Sequence, residues 1–340
     1  MTTVTYPYDE QTQNWTSTSS YPNTKLKPER TKSWEVGLDA RILNDISLNL
    51  TYYRSNTYNQ TFYADLSLSS GYSNIPIQSG NIMNEGLEMS LGYNKQWKDF
   101  SFNTNYTLTW NKNRVKRLAD GVYNYATGQP IQMPELSPLT YGHTDARLIL
   151  RVGGSMGDVY GQRLLKRDLN GYILNEEGVG LAMENKETYL GSILPKMNMG
   201  WSLGFGYKGV NLGMTFTGRF GGIVISETQS VLDAAGVSKV SADVRDAGGV
   251  QINQGKVSAQ TYYQAIQGTA AYYTYSATNV RLGELSLSYT LPKKWFDNKV
   301  GMTVGLVGKN LWMIYCKAPF DPELTTSAAS NFYQGFDAYM

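Results

Sequence analysis

Hydrophobic and polar side chains alternate along the chain in several segments, most clearly in residues 279–312. There, Gly283, Leu285, Leu287, Tyr289 and Leu291 alternate with Glu284, Ser286, Ser288 and Thr290, and after a short turn Val300, Met302, Val304 and Leu306 alternate with Gly301, Thr303 and Gly305. A period of two places each set on one face of an extended strand. The pattern therefore predicts a β-hairpin with one apolar and one polar face.

Three further segments, 34–52, 87–110 and 199–217, show the same alternation. Each segment is interrupted once by a short run of turn-forming residues, such as Lys208-Gly209. The sequence thus predicts four hairpins, or about eight antiparallel strands.

The remaining segments are polar, and most of them lack periodicity. We expect residues 1–33 to be a lead-in loop and residues 34–312 to hold the strands. Within that range we expect three long loops, 55–83, 111–196 and 221–278, with some further strand around 147–165. Residues 313–340 are expected to form a last loop. Short turns then lie at one end of the strands and long connections at the other.

A soluble β-sandwich would also show alternating faces, so alternation alone does not decide the environment. The polar partners are mostly small and neutral, namely Ser, Thr, Asn and Gly, which suits a lumen. Aromatic residues gather near the predicted strand ends, at Trp34, Tyr52, Tyr93, Trp97, Trp110, Tyr207, Trp295 and Trp312. Together with short turns at one end and long loops at the other, this favours an all-β, antiparallel transmembrane barrel with long extracellular loops.

Composition excludes several other classes of protein. A net charge of +2 gives no reason to expect nucleic acid as a partner, and no apolar run reaches the roughly 18 residues of a membrane helix. The only cysteine, Cys316, allows no internal disulfide. The only histidine, His143, lies among Gly and Thr and is expected to be exposed. Without a nucleophile–base pair or a ligand set, the sequence predicts no enzyme, cofactor or metal site.

Three weaker motifs have two interpretations each. Asp168-Leu-Asn-Gly resembles a calcium loop but departs from the EF-hand pattern, which favours a β-turn. The two carboxylates of Asp321-Pro322-Glu323 have no nearby base, which favours a structural turn. The tyrosines 262, 263, 272 and 273 would either contact a ligand or partner or pack within their own loop, and the sequence does not distinguish these alternatives.

Short segments in a fixed order resemble the TonB-dependent outer-membrane receptors. These are LKPE at 26–29, WEVGLD at 34–39, LTYYR at 50–54 and NEGLE at 84–88. Others resemble the SusC/RagA branch: PKMNMG at 195–200, FGG at 220–222, VRLGELSLSYTLP at 280–292, VGKNLW at 307–312 and FDPE at 320–323. The resemblance covers nearly the whole chain.

The resemblance implies the C-terminal portion of a plugged barrel of about 22 strands in the outer membrane of a Bacteroidetes-type bacterium. Such a protein would import a large nutrient, an oligosaccharide or a peptide. Its partners would be a SusD-like surface lipoprotein, the TonB complex, the plug and remaining barrel, and membrane lipid. The alternatives are a siderophore- or vitamin-type TonB-dependent receptor and a surface adhesin or structural β-domain.

This interpretation assigns residues to two surfaces. The polar side chains expected to line the lumen and the substrate path are Glu88, Asn103, Asn105, Thr107, Asn211, Thr215, Glu284, Ser286 and Lys309. The residues expected to make extracellular contacts are Tyr262, Tyr263, Tyr272, Tyr273 and Asp168.

The chain also departs from the family pattern, because no signal peptide, TonB box or plug is recognisable. The final strand of the barrel would follow Met340. We therefore expect this stretch to need the rest of the barrel for stability, since open sheet edges are costly in lipid.

Overall fold

An eight-stranded antiparallel sheet, here called the wall sheet, is the largest part of the molecule. A computed structural model describes residues 8–9, 14–15, 27–65, 72, 74–118, 135–178, 180–253 and 255–323. The wall strands are β1 (Arg30–Ile42), β2 (Ile46–Asp65), β3 (Asn74–Trp97), β4 (Phe100–Arg117), β9 (Met197–Tyr207), β10 (Val210–Phe220), β11 (Asn279–Thr290) and β12 (Thr303–Cys316). Their order in the sheet follows their order in the chain, from β1 at one edge to β12 at the other. The eight strands and their antiparallel pairing are confirmed.

The short turns between the wall strands are where the alternating pattern predicts them. Tyr207 pairs with Val210, so Lys208 and Gly209 alone connect β9 to β10, with φ values of 47° and 91°. Two residues with positive φ match the right-handed twist of a hairpin, and glycine adopts this conformation without steric cost. The other connections at this end are residues 43–45, 98–99 and 291–302.

The long connections lie at the opposite end, and two of them are shorter than expected. Residues 55–83 were expected to be a loop, but β2 and β3 continue through most of this range, with Ser55 opposite Asn84 and Asp65 opposite Asn74. Both faces are polar or mixed here, so the hydrophobic alternation disappears while the backbone ladder continues. Similarly, β12 extends to Cys316, into the range 313–340 expected to be loop.

The connection between β4 and β9 contains a second, four-stranded antiparallel sheet rather than an irregular loop. Its strands are β5 (Glu135–Thr140), β6 (Ala146–Arg151), β7 (Asp158–Leu165) and β8 (Met183–Ser192), in the order β8-β7-β6-β5. The prediction of strand around 147–165 is confirmed. Two-residue or three-residue strand pairs are Tyr8–Asp9 with Asn14–Trp15, Arg167–Asp168 with Gly171–Tyr172, Ile223–Ile225 with Thr274–Ser276, and Val250–Ile252 with Gly255–Val257.

Three short helices occupy the connection between β10 and β11, which was expected to be loop. They are α1 (Glu227–Ala234), α2 (Lys239–Asp246) and α3 (Ala259–Ile266), and single 3₁₀ turns form at Ala270–Tyr273 and Lys293–Phe296. The hydroxyls of Ser226, Ser238 and Ser258 accept hydrogen bonds from the third residue along and cap the three helices. Eight-residue helices are too short to show an apolar period, and tertiary packing stabilises them.

The hydrophobic core lies at the long-connection end. Residues 135–192 and 223–276, here called the loop unit, contribute to all four clusters of buried apolar side chains. One cluster joins Ile82 and Val115 of the wall strands to Leu150 of β6. Nearby, Asn113 Oδ1 accepts a 2.8 Å hydrogen bond from the Met156 amide. The loop unit is therefore fixed to β3 and β4 at the long-connection end of the wall sheet.

Candidate functional site

All nine residues expected to line a lumen lie on one face of the wall sheet. Glu88 is opposite Thr109, which shares its strand face with Asn103, and Asn103 is opposite Gly204. The same face continues through β10 to β11 and β12, where Thr215 is opposite Glu284 and Glu284 is opposite Lys309. The register thus brings together side chains that are more than 200 residues apart in sequence into one polar face.

Glycines make room for several of the polar side chains. A Cβ atom at Gly204 would lie 2.5 Å from Asn103 Nδ2, and one at Gly213 would lie 2.5 Å from Ser286 Oγ. Likewise, a Cβ atom at Gly200 would lie 2.8 Å from Thr107 Oγ1. A side chain at any of these glycines would displace the amide or hydroxyl that it meets, so these polar groups lie across the neighbouring strand.

Hydrogen bonds on this face connect neutral groups. Ser90 Oγ donates to Asn105 Oδ1 at 3.1 Å, and Thr107 Oγ1 donates to the carbonyl of Gly200 at 3.3 Å. Among the nine residues the charged ones are Glu88, Glu284 and Lys309. The face therefore carries mostly amides and hydroxyls, and among its described residues no pair of groups is positioned as nucleophile and base.

The opposite face of the wall sheet is apolar and uncovered among the described residues. Leu287, Val304 and Leu306 are 50%, 55% and 78% exposed. No large cluster of buried side chains covers these central positions in the part of the chain that is described. Exposed apolar surface of this extent indicates a non-aqueous environment or a protein partner.

On the apolar face, one pair of aromatic rings lies near each end of the strands, and other rings lie between them. Trp97 and Phe100 stack near the short turns with their centroids 5.7 Å apart, whereas Trp34 and Tyr52 lie 5.4 Å apart towards the long connections. Within β4, Phe100 and Trp110 are ten residues apart. At about 3.4 Å per residue and a tilt of about 40°, these span roughly 26 Å, close to the height of about 25 Å of the apolar band of outer-membrane barrels.

Two of the four tyrosines expected to make extracellular contacts are buried. Tyr263 and Tyr273 are 5% and 1% exposed in the core of the loop unit, so these rings do not form a contact surface. Tyr262 is half-buried, and its ring centroid lies 5.2 Å from that of Tyr263. Tyr272 is also half-buried against the same cluster. The alternative, packing within the loop, describes this group better.

Burial raises the pKa of these tyrosines, because a phenolate loses hydration in the apolar cluster. It raises the pKa of Tyr273 strongly, with the Asp233 carboxylate adding to the effect. It also raises the pKa of Tyr262 and Tyr272, each assisted by the neighbouring Tyr172. Tyr262, Tyr272 and Tyr273 therefore remain neutral at physiological pH.

Asp168 lies on an exposed turn of the loop unit. Its Oδ1 accepts a 2.8 Å hydrogen bond from the Asn170 amide, and its other carboxylate oxygen accepts one from the side chain of Asn253. The motif thus forms a turn, the favoured alternative to a calcium loop. Among the described residues, no group of three or more His, Cys, Asp or Glu side chains is arranged to hold a metal ion.

His143 is buried, contrary to the expectation that it is exposed, with 1% of its surface accessible. Its Nδ1 accepts a 3.0 Å hydrogen bond from the Asp145 amide, and its Nε2 lies 2.8 Å from the carbonyl oxygen of Gln267. Asp145 in turn accepts hydrogen bonds from Arg163 Nε at 3.1 Å and from the Ala270 amide at 3.0 Å. Both ring nitrogens are engaged, so this cluster joins the loop-unit sheet to the segment after α3.

Asp321 and Glu323 both contact Arg281, which agrees with a structural rather than a catalytic role. Arg281 Nη1 and Nη2 donate to the two Asp321 oxygens at 2.8 and 2.7 Å, and Nη2 lies 3.3 Å from Glu323 Oε2. Arg281 and Asp321 are both at least nine-tenths buried.

No described helix is long and apolar enough to cross a membrane.

Several known proteins are similar to this chain. TonB-dependent receptor P3 of Formosa agariphila is 25% identical over 338 residues, covering 92% of the chain and 32% of the relative. TonB-dependent receptor SusC of Bacteroides thetaiotaomicron is 29% identical over 119 residues, covering 34% of the chain and 12% of the relative.

The fold is similar to that of solved transporters. The structure of the RagAB peptide transporter superposes with a TM-score of 0.66 at 20% identity, covering 96% of this chain and 36% of that chain. The chain spans about a third of the length of the proteins that it matches over most of its own sequence. A family model described as TonB dependent receptor-like, beta-barrel matches residues 3–311. Its members are receptors and transporters rather than enzymes. The chain therefore belongs to the TonB-dependent receptor-like β-barrel family.

Proposed function

We propose that this chain is the barrel portion of a TonB-dependent importer that carries a large nutrient, an oligosaccharide or a peptide, across the outer membrane. The observation that supports this most directly is the wall sheet with its two unlike faces. One face is apolar, uncovered among the described residues and bounded by aromatic rings, as lipid requires. The other presents neutral amides and hydroxyls, as an aqueous lumen requires.

In this proposal, the nine residues of the polar face lie along the substrate path. Asn103, Asn105 and Asn211 each offer both donors and acceptors, which match sugar hydroxyls and peptide groups equally well. The polar face is therefore suited to binding a neutral polar solute, and it does not distinguish between an oligosaccharide and a peptide. The similarity to the RagAB peptide transporter gives some support to a peptide.

The remainder of the transporter supplies what the wall sheet requires. In the described sheet, β1 and β12 are the edge strands. Each unpaired backbone group costs several kcal/mol in lipid, by an order-of-magnitude estimate, so we propose that further barrel strands pair with both edges. The plug, and through it the TonB complex, would supply the energy for import.

We further propose that a SusD-like surface lipoprotein contacts the loop unit at the long-connection end. Asp168 is exposed on this unit, and Tyr262 and Tyr272 are half-buried there. These three residues remain candidates for the contact, whereas the buried rings of Tyr263 and Tyr273 do not.

Purification of the full-length protein from native membranes tests the proposal. We expect it to require detergent, to elute with a lipoprotein, and to carry an oligosaccharide or peptide detectable by mass spectrometry. A detergent-free soluble protein would instead support an adhesin or structural β-domain. Recovery without a lipoprotein but with a bound iron chelate or vitamin would support the siderophore- or vitamin-type receptor.

A further inference from the structure

A cationic cavity lies where β1 begins, at the long-connection end of the wall sheet. The cavity has a volume of about 370 Å³ and is lined by Lys27, Pro28, Arg30, Lys32, Tyr58 and Asn59. This is within the range of roughly 300–1,000 Å³ typical of small-ligand sites. Three of its six lining residues are cations, so the cavity suits an anionic group.

The backbone that carries these cations is held in place. The Lys27 carbonyl accepts a 2.7 Å hydrogen bond from Gln78 Nε2, and Glu29 Oε1 accepts a 2.9 Å bond from the Thr61 amide. Asn59, at φ 58° in a bulge of β2, donates from Nδ2 to the Pro28 carbonyl at 3.3 Å. The segment before β1 is thereby fixed across β2 and β3, and the cavity is formed without a ligand.

Among the described residues, no carboxylate forms a salt bridge with these cations. None of the salt bridges between described residues includes Lys27, Arg30 or Lys32. The nearest acid in sequence, Glu29, is engaged with the Thr61 amide, and alternation places Glu35 on the opposite face of β1. Lys32 Nζ lies 5.9 Å from the centroid of the Tyr58 ring, so a cation–π contact stabilises one of the charges.

The cavity opens on the apolar side of the wall sheet. Alternation along β1 places Arg30 and Lys32 on the same face as Trp34 and Val36, and Arg54 is directly opposite Trp34. Lys32 and Arg30 lie two and four residues beyond Trp34, which corresponds to roughly 7 and 13 Å along the strand, or about 5 and 10 Å along the membrane normal. The headgroup layer is about 5–8 Å thick on each side of the hydrocarbon core, so Lys32 lies at headgroup level and Arg30 lies at about the outer surface of that layer.

We infer that this cavity binds a phosphate group on the headgroup of an outer-leaflet glycolipid. The inference rests on the proposed outer-membrane location, with the long connections facing outwards. The Arg30 guanidinium can engage a phosphate through two parallel hydrogen bonds, while Lys27 and Lys32 add point charges. On the other side of Trp34, the apolar residues of β1 such as Val36 face the acyl chains. One lipid molecule would therefore contact both the cavity and the apolar band.

The test uses the full-length protein in a non-ionic detergent and measures binding of bis-phosphorylated lipid A by native mass spectrometry. Arg30→Gln with Lys32→Gln removes two cations from the cavity. We expect binding about 25-fold weaker, because each cation near a membrane surface contributes roughly fivefold. Lys293→Gln with Lys294→Gln makes the same change of charge at the short-turn end and should leave binding within about twofold of the unmodified protein.

Two further probes distinguish a lipid from a free anion. Lipid A without phosphates should bind at least tenfold more weakly than the phosphorylated form. Inorganic phosphate should not displace lipid A at millimolar concentration. Equal binding by both double variants, equal binding of dephosphorylated lipid A, or displacement by inorganic phosphate would each overturn the inference. Recovery of all variants as heat-modifiable protein in the outer-membrane fraction tests the proposed function separately.

Discussion

Arg281 of β11 forms a buried bidentate salt bridge with Asp321, a residue beyond the end of β12. The two side chains are 9% and 8% exposed, and the two N–O distances are 2.7 and 2.8 Å. Asn279 Oδ1 accepts further hydrogen bonds from the guanidinium, and Glu323 lies within ion-pair distance. This network ties the segment after the edge strand β12 back to β11.

Replacing Asp321 with Asn should destabilise the protein by about 3 kcal/mol, because it removes a carboxylate partner from a buried guanidinium. The measurement is the free energy of unfolding of the full-length protein in detergent, followed by the loss of its heat-modifiable form. Asp246→Asn is the matched control. Asp246 contacts Arg245 at 3.7 Å with both side chains well exposed, so its loss should cost at most about 0.5 kcal/mol. Equal effects of the two variants would contradict a stabilising role for the buried pair.

Adjacent residues of β11 test which face of the wall sheet contacts lipid. Leu285 is opposite Met214 on the apolar face, and Ser286 is opposite Gly213 on the polar face. Leu285→Arg should cost about 2–4 kcal/mol, the value for an arginine facing the middle of the bilayer. Ser286→Arg should assemble normally, because its charge would lie in water. The measurement is the yield of heat-modifiable protein in the outer membrane, and the opposite ranking would reverse the assignment of the faces.

The wall sheet was predictable from the sequence because its signal is local. A strand is recognised from alternation over five to ten residues, and a turn such as Lys208-Gly209 is recognised from two residues. The common face of the nine polar residues follows from the same alternation. The continuation of β2 to Asp65 was missed because a strand with two polar faces has no hydrophobic period.

The loop unit was not predictable because distant contacts determine it. His143 lies among turn-forming residues, and its burial depends on Gln267, which is 124 residues away. Tyr263 and Tyr273 are indistinguishable in sequence from exposed loop tyrosines, yet both enter one cluster. A signal for the helices was present, since Ser226 followed by Gln229 matches the capping-box pattern, but it is weak without an apolar period after it.

Alkaline pH should destabilise the loop unit. Burial and the Asp158 carboxylate raise the pKa of Tyr189 to about 12, and burial with Asp233 raises that of Tyr275 to about 12, from an ordinary value of 10.0. The folded state therefore holds these protons more tightly than the unfolded state. This contribution is complete below pH 10 and is lost as the pH rises from about 10 through about 12.

The measurement is the midpoint of thermal unfolding of the full-length protein between pH 8 and pH 12. Tyr189→Phe removes the titrating group together with its 3.2 Å hydrogen bond to Asp158. We expect a lower midpoint at pH 8 and a smaller fall above pH 10 than in the unmodified protein. Tyr63→Phe is the matched control, because Tyr63 is as exposed as Tyr189 (57% and 56%) but makes no described hydrogen bond to a carboxylate, and it should leave both quantities unchanged. An undiminished alkaline fall in the Tyr189 variant would exclude Tyr189 as a cause.

The amide of Asn103 should contribute to binding the transported solute, and Gly204 allows this to be tested without removing the amide. In Gly204→Ala the new methyl group would lie 2.5 Å from Asn103 Nδ2 and 2.8 Å from its Cγ, so the side chain must rotate away. In Gly283→Ala the closest atom lies at 3.6 Å, an ordinary contact, which makes it the matched control. Losing one hydrogen bond of about 0.5–1.5 kcal/mol should weaken binding about twofold to tenfold. Calorimetry measures binding of the solute that purifies with the full-length protein, and it should show this loss for Gly204→Ala alone. The unfolding free energies of both variants should stay within about 1 kcal/mol of that of the unmodified protein. Unchanged affinity in both variants would place the solute away from Asn103.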